Sequence, residues 1–455
     1  MNLASARHIY FLGIGGIGMS ALARYFCRMG KVVSGYDRSE SVVTRGLVSE
    51  GVAVYYEMDP AHVQGQDLLV HTPAITVDSV EYQAAQQAGV PILKRSQVLG
   101  MISGQYRTLA VAGTHGKTTT SAMLDHLLRH SGIACTSFLG GIARPLGSNF
   151  VWGSSDWLVA EADEYDRSFL TLHPELAIIN SLDPDHLDIY GSAAAMQESY
   201  RSFAGQARHL LVHSSLADVH WPLRPMTFGW DTGEYQASRL RYTDLGSVFD
   251  YHWPGGQLRD VEIHMPGRHN VLNLTAALSA ALWAGADPGQ VQAAAATFEG
   301  LYRRFEVLVH GPQLTYIDDY AHHPRELEAA IGTARALFPD RQLVVVFQPH
   351  LYSRTRDFCE GFAEALDACD QVLLMDIYPA REAPIPGVRS ELILAHMRKA
   401  EAGMVSRYDL IPTLRRTLVS PAVLLTLGAG DIDKEVDAIA DALRTTITVH
   451  PRQGN

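Results

Sequence analysis

Residues 112–120 read AGTHGKTTT, a grouping of residue types suited to holding phosphate. Gly113 and Gly116 let a backbone turn tightly and aim its N–H groups inward. Lys117 can reach outer phosphates, and the Thr118 hydroxyl can complete a magnesium shell. The stretch 108–111 just before is apolar and of strand character. Just after, Met123, Leu124, Leu127 and Leu128 recur at helical spacing, with Gly132 where a helix would be capped. The chemistry therefore sits on a strand–loop–helix junction, where a helix N-terminus adds partial positive charge. The standard phosphate-loop pattern wants a glycine five residues before Gly116, and this chain has Val111 there. A glycine-rich turn with a chance lysine is the plainer alternative. The flanking strand and helix favour a nucleoside triphosphate site built from Gly113, Thr114, His115, Gly116, Lys117, Thr118 and Thr119.

Acidic groups follow. The apolar stretch 157–160 runs into Glu161-Ala162-Asp163-Glu164-Tyr165-Asp166. A carboxylate at a strand end beside a phosphate loop is where a magnesium ligand belongs. Four acids in six positions could also be a solvated loop, but the strand aims Glu161 at the phosphate-loop edge. The strand-like stretch 176–180 leads to Asp183-Pro184-Asp185-His186. There His186 could bind a second cation, orient a phosphate or join a surface network. His269 and Asn273 lie four apart at the head of an Ala/Leu-rich helix, so they share a face. They could cap that helix or read an adenine edge.

Two further regions carry polar groups at strand ends. Near the start, a strand over 9–12 leads into Gly13-Ile14-Gly15-Gly16-Ile17-Gly18, a helix over 19–29 and a strand over 32–36 ending at Asp37. An acid about 20 residues after such glycines is the dinucleotide-binding arrangement, which specifies a diphosphate and a ribose but no nicotinamide. A strand over 67–71 ends in His71-Thr72, where His71 reads as a capping or surface histidine before a ligand. In the last third, strands over 315–318, 343–347, 372–375 and 423–427 alternate with helices, one of them over 325–337. Three of these strands end in clusters: Asp318-Asp319-Tyr320-Ala321-His322-His323, Gln348 to Arg356, and Gly428-Ala429-Gly430-Asp431. Polar clusters at the C-terminal ends of successive strands mark the active edge of a doubly wound sheet.

The elements that position these groups predict an α/β protein of three domains in series. A Rossmann-like domain is expected over 1–105, a central P-loop ATPase domain with a parallel sheet over 106–303, and a C-terminal Rossmann-like domain over 304–455. Residues 205–262 carry little signal beyond strands and turns. Of the 455 residues, 47% are apolar and 19% charged, enough to bury several cores. The net charge of −12, with no Lys/Arg run, argues against a nucleic-acid partner. Phosphorylated ligands must then be held by local backbone and a few basic residues. Cys27, Cys135, Cys359 and Cys369 show no metal spacing and read as reduced thiols. No signal-type apolar core and no span of ~20 apolar residues is present, so the expectation is cytoplasmic, with no membrane partner.

Taken in order, GIGGIGMSALA, AGTHGKTTT, EADEYD, DPDHLDIYG, GRHNVLN, YRRFE, DDYAHHP, FQPHLYSRTRDF and GAGDI resemble the Mur ligases of peptidoglycan synthesis over the whole chain. The likeness is greatest to the members that add the first amino acid. The resemblance implies an ATP-dependent, amide-bond-forming ligase. It would join L-alanine to the lactyl carboxylate of UDP-N-acetylmuramate through an acyl phosphate, using ATP and two Mg²⁺ ions. It implies that Gly15, Gly16 and Gly18 hold the UDP diphosphate, with Asp37, His71 and Thr72 near the nucleoside. Lys117 would grip the ATP phosphates, and Thr118, Glu161 and His186 would ligate the metal ions. His269, Asn273, Arg304 and Asp318 would position ATP. Tyr320, His322 and Arg354 would line the amino-acid site, with Arg356 a further candidate. Lys117, His322 and Arg354 are the expected catalytic residues, His322 helping the amine to lose its proton. The partners implied are small molecules, and the chain would be a monomer or homodimer.

The chain departs from the family pattern in places. Leu351 stands where arginine is usual, and Ser181 where an asparagine is common ahead of the DH pair. No lysine lies between His186 and Gly205, where sister ligases carry a carbamylated one. Other readings share some motifs. A murein-recycling ligase adds a tripeptide to the same nucleotide sugar but fits GIGGIGM and FQPHLYSRT less well. A nicotinamide oxidoreductase would leave the phosphate loop and both metal ligands unexplained. A P-loop switch protein would hydrolyse nucleotide with no dependence on an amino acid.

Overall fold

Three sheets follow one another along the chain in a computed structural model that describes residues 3–144, 147–185, 187–380 and 382–449. The first holds β1 (His8–Leu12), β2 (Val32–Tyr36), β3 (Ala53–Tyr55), β4 (Leu68–His71) and β5 (Ile92–Lys94), all parallel, in the order β3-β2-β1-β4-β5. Ile9 and Phe11 enter one core with Met19, Leu22 and Phe26 of α1 (Ile17–Arg28), while Tyr10 and Leu12 enter another with Val63, Leu69 and Ala85. Burial on both faces explains why residues 9–12 are apolar without alternation. The chain order reverses around β1, leaving a crevice outside its carboxyl end, where Gly13 begins the glycine loop.

The second sheet has ten strands. Its centre is β6 (Arg107–Ala112), with β7 (Thr136–Ala143), β8 (Ser148–Val151), β9 (Trp157–Glu161) and β10 (Pro174–Ile179). Strands β11 (His209–His213), β12 (Met226–Trp230), β13 (Tyr235–Tyr242), β14 (Ser247–Trp253) and β15 (Gly256–Ile263) extend it beyond β10, so residues 205–262 hold strands joined by turns, as expected. The order is β15-β14-β13-β12-β11-β10-β6-β9-β7-β8, and β6 runs parallel to both β10 and β9. The helices that matter here are α2 (Lys117–His130), α3 (Arg268–Trp283) and α4 (Pro288–Ala295).

The third sheet contains β16 (Glu306–His310), β17 (Leu314–Asp319), β18 (Gln342–Phe347), β19 (Gln371–Leu374), β20 (Glu401–Met404) and β21 (Ala422–Leu427). Their order is β16-β17-β21-β18-β19-β20, with β16 antiparallel and the rest parallel. Ile317, Val345, Phe347 and Leu425 face one core and Tyr316, Val344, Val346 and Leu424 the other. Helices α5 (Pro324–Leu337) and α6 (Tyr352–Leu366) follow β17 and β18. The chain parts into two compact units. One comprises the chain up to Leu240 with Val248–Ile263 and Asn270–Glu299; the other comprises Arg241–Ser247, His264–His269 and the chain from Gly300 onward. The four cysteines are free thiols. No helix among the described residues is long and apolar enough to cross a membrane.

Helix α2, which carries the phosphate loop, packs on α4 through His126, whose Nε2 lies 2.9 Å from the Ala294 carbonyl and 3.0 Å from the Thr297 hydroxyl. Burial, helped by His130, pushes the His126 imidazole down to about 4. As pH falls from about 6.5 towards 4, the unfolded chain takes up a proton that the folded one refuses, so stability falls with pH in that window. The urea midpoint should therefore drop between about pH 7 and about pH 4.5. His126→Gln, which keeps a donor but cannot titrate, should flatten that dependence.

Candidate functional site

The loop between β6 and α2 is built for close approach. Gly113 has φ +131°, and a Cβ there would sit 2.9 Å from the Ser181 nitrogen; Gly116 caps α2 at φ +77°, where a Cβ would strike the Asn273 amide. Ser181, at the end of β10, accepts a hydrogen bond from the His115 N–H at 2.9 Å and lies 3.1 Å from the Thr114 hydroxyl, which in turn accepts from the Asp183 N–H. The Asn180 amide donates to Thr120 Oγ1 at 2.9 Å, and Thr120 Oγ1 donates to Asn273 Oδ1 at 3.4 Å. Ser181 thus braces the loop through its hydroxyl.

Lys117 is held from all sides. Its Nζ donates to the Gly113 carbonyl at 2.7 Å, the Thr114 carbonyl at 3.4 Å and the Glu164 carboxylate at 2.8 Å, with the Glu164 side chain only 1% exposed. Burial opposes the ammonium charge, but Glu164 first, then Glu161 and Asp163, outweigh it and hold Lys117 above the ordinary lysine value. Thr118 is buried beside it.

The acidic stretch is not a solvated loop, since each of its four acids has its own setting. Glu161 ends β9 opposite Val111 of β6, and its carboxylate lies directly over Gly140, leaving no room there for a side chain. Asp163 pairs with Arg95 at 3.2 Å, Glu164 with Lys117, and Asp166 with Lys94 at 3.2 Å. Arg95 presses on Gly18 at the start of α1 and, with Gly18, Leu99, Gly140, Glu161 and Asp163, lines a cavity of about 150 Å³. Sequence reasoning missed Arg95 and the role of Glu164; the only signal was a Lys-Arg pair after a strand. His186 lies outside the described residues, and among the described residues no cluster of three or more His, Cys, Asp or Glu stands ready for a metal.

In the first glycine loop, the Gly15 N–H donates to Asp37 at 2.8 Å, and the Gly13 and Ile14 N–H groups donate to the Tyr36 carbonyl. Asp37 therefore braces the loop that holds Gly15, Gly16 and Gly18. His71 is buried, contrary to the capping or surface expectation. Its ring meets Tyr82 edge-on and lies 3.3 Å from the Thr72 carbonyl, and burial lowers its pKa. The Thr72 side chain packs on Gly13.

The second unit brings Tyr320, His322 and Arg354 together and adds two residues. The His322 ring lies 5.3 Å from that of Tyr320 and 6.0 Å from that of His350; Arg354 reaches His350 Nδ1 at 3.4 Å, and His350 stacks on Tyr378. His322 Nδ1 is 3.0 Å from the Tyr320 carbonyl and 3.2 Å from Glu326. Arg356 does not join them; it pairs with Asp357 at 2.7 Å and is half exposed. Leu351 starts α6 at φ +71°, a strained conformation for leucine, and donates its N–H to the Tyr378 carbonyl. Tyr378 carried no sequence signal.

Arg304 lies 5.1 Å from the Tyr320 ring, whereas Asp318 is fully buried, accepting from Arg303 at 2.9 Å and from the Thr426 hydroxyl at 2.6 Å. Burial raises the Asp318 pKa even against Arg303. His269 belongs to this unit, and burial pushes it down to about 4 in spite of Glu326 nearby. Asn273, one turn later, belongs to the first unit and meets Gly116.

Two substitutions separate chemistry from architecture. Gly140→Ala should displace the Glu161 carboxylate and lower nucleotide-dependent phosphate release about 10- to 100-fold, with a raised magnesium requirement and an unchanged thermal midpoint. Asp318→Ala, which leaves the Arg303 guanidinium buried without its carboxylate, should cost about 3–5 kcal/mol in urea unfolding. Asp318→Asn should cost less, because an amide oxygen still accepts.

Family models match along the chain in the same order as the three sheets. They are the Mur ligase family catalytic domain over residues 8–107, the Mur ligase middle domain over 111–281 and the Mur ligase glutamate ligase domain over 303–432. The chain is 41% identical over 455 residues to the UDP-N-acetylmuramate–L-alanine ligase of Cytophaga hutchinsonii, covering 96% of this chain and 97% of the relative. It is 44% identical to the ligase of the same name from Porphyromonas gingivalis W83, covering 96% and 99%. The crystal structure of the UDP-N-acetylmuramate–alanine ligase MurC from Thermotoga maritima superposes with a TM-score of 0.81 at 29% identity, covering 96% of this chain and 99% of that one. With its three sheets in that order and its phosphate loop between β6 and α2, this chain belongs to the Mur ligase family.

Proposed function

We propose that this protein is an ATP-dependent ligase that joins L-alanine to the lactyl carboxylate of UDP-N-acetylmuramate, releasing ADP and phosphate, in cytoplasmic peptidoglycan precursor synthesis. The observation that carries the reading is the meeting of Lys117, Thr118 and Glu161 at one sheet edge of a chain that matches ligases of that name along nearly its whole length. The proposed domains are a sugar-nucleotide domain over 1–105, an ATP domain over 106–303 and an amino-acid domain over 304–455.

A carboxylate is a poor electrophile. In the proposed reaction its oxygen attacks the γ-phosphorus of ATP, the bond to the bridging oxygen breaks, and ADP leaves an acyl phosphate behind. The alanine amine, having lost a proton, attacks the acyl carbon, and phosphate departs from the tetrahedral intermediate. The protein's task is to gather anions without repulsion. The phosphate loop fits a triphosphate, since Gly113 and Gly116 keep side chains out of it and Lys117 supplies an ammonium. Thr118 and Glu161 offer hard oxygen donors on either side of that loop, which suits magnesium, an ion that keeps several waters and takes few protein ligands. They would hold it, with His186 a further candidate and two ions the proposed number, and it would supply positive charge against the phosphates.

For the sugar nucleotide, the glycines Gly15, Gly16 and Gly18 keep side chains away from the α1 N-terminus, whose partial positive charge suits the diphosphate, and Arg95 adds a cation at the same place. Asp37, His71 and Thr72 stand towards the nucleoside. For alanine, Arg354 suits the carboxylate, while Tyr320 and His322 flank the amine. His322, whose Nδ1 lies beside the Tyr320 carbonyl and Glu326, is the proposed proton acceptor. His269, Asn273, Arg304 and Asp318 complete the proposed nucleotide set, Asp318 acting by holding Arg303 and the turn that carries Arg304.

The deciding assay is phosphate release from ATP with UDP-N-acetylmuramate and Mg²⁺, comparing L-alanine with the L-Ala-γ-D-Glu-diaminopimelate tripeptide. Release should require both the sugar nucleotide and L-alanine and should vanish in Lys117→Ala. Release with the tripeptide alone would assign the recycling reaction, and release indifferent to the sugar nucleotide would refute the reading.

A further inference from the structure

The phosphate-loop lysine is already neutralised. The Glu164 carboxylate lies 2.8 Å from Lys117 Nζ through each of its oxygens, and the two side chains are 1% and 14% exposed. The remaining Nζ donors go to the Gly113 and Thr114 carbonyls, so the ammonium has no hydrogen left for an incoming phosphate. Glu164 is also anchored. Its carbonyl accepts from the Tyr190 hydroxyl at 2.6 Å and from the Arg167 N–H at 3.0 Å, at the head of a turn in which Asp166 and Arg167 both have positive φ. Nothing in the proposed chemistry uses Glu164. Asp163 and Asp166 hold other cations, Arg95 and Lys94, and Glu161 and Asp163 act on Lys117 only as nearby charges, so Glu164 is its direct partner.

A polyphosphate entering this loop must take Lys117 from a buried carboxylate while bringing its own negative charge close to it. We propose that Glu164 is a positioning residue that competes with ATP for Lys117, so that tight nucleotide binding requires a divalent cation to offset the combined charge. In the empty loop Glu164 keeps the lysine charged and held against the loop. In the filled loop the same carboxylate penalises a triphosphate that arrives without its metal. The inference rests on ATP being the ligand of this loop. It assigns to Glu164 the coupling between nucleotide and cation.

The test is calorimetric titration of the full-length protein with ATP, in EDTA and in excess Mg²⁺. Glu164→Gln keeps an oxygen for Lys117 but removes the charge. It should bind metal-free ATP at least about tenfold more tightly than the wild type and Mg–ATP only about two- to threefold more tightly. The magnesium dependence of Kd should shrink accordingly. AMP, which lacks the outer phosphates, should bind equally to both. A structural role alone would weaken binding, so tightening is diagnostic. Should the glutamine variant fail to fold, Glu164→Asp draws the carboxylate back by one methylene and should tighten metal-free binding in the same direction. Metal-free affinity equal to or below wild type in a folded variant overturns the inference. A wild-type protein that binds no ATP in either condition overturns the ATP reading beneath it.

Discussion

A parallel strand buried on both faces can offer polar groups only at its ends. Many of the chemically capable residues of this protein obey that constraint. Residues 9–12, β6, β9, β10, β17, β18 and β21 are sealed between layers of apolar side chains. Glycine, lysine, acid and histidine appear where those strands stop. The first glycine loop follows β1, the phosphate loop follows β6, Glu161 ends β9 and Asn180-Ser181 follows β10. In the last sheet Asp318 and Asp319 end β17, and the Gln348–Arg356 segment follows β18.

The second constraint is charge. A chain of net charge −12 must handle anionic ligands, so it cannot rely on a general positive field. The structure answers in part by giving several cations a specific carboxylate: Lys117 has Glu164, Arg95 has Asp163, Lys94 has Asp166 and Arg303 has Asp318. These pairs differ in kind. Asp318 and Arg303 are locked within the sheet with Thr426 and serve the architecture, whereas Lys117 and Arg95 sit at loop edges where a phosphate could replace the carboxylate.

Part of the backbone strain lies at the same edges, while Arg239 and Asp260 hold positive φ within outer strands of the second sheet. Arg303, Phe305 and Leu351 all hold positive φ in the second unit, and Asp166 and Arg167 do so in the first. Two of these turns are pinned by side-chain acceptors: Asp319 accepts from the Phe305 and Ala321 N–H groups, and Glu382 accepts from the Ser353 N–H. The strain fixes where Arg304, Arg354 and Glu164 project, which a relaxed turn would leave to chance.

The sequence by itself determined the class of fold, the three-part order and the strand ends that carry chemistry. Apolar runs between glycine-rich turns have a physical reading that does not depend on partners distant in the chain. Val32–Tyr36 matched its expected bounds, and most other expected strands were right to within one or two residues. It also fixed Lys117, Glu161 and the Tyr320–His322–Arg354 trio as residues of interest, because type and spacing already limit their chemistry. For residues 205–262 it showed strands and turns but not their order, since mixed polar strands take their register from neighbours in the sheet. Only tertiary structure decided that His71 is buried, that Arg356 faces away from Arg354, and that His269 and Asn273 serve different units. It alone revealed Arg95 at Gly18, Tyr378 under His350 and Glu164 on Lys117. Those contacts join residues from separate strands and loops, and a pairing made across a sheet edge leaves no periodic trace in the chain.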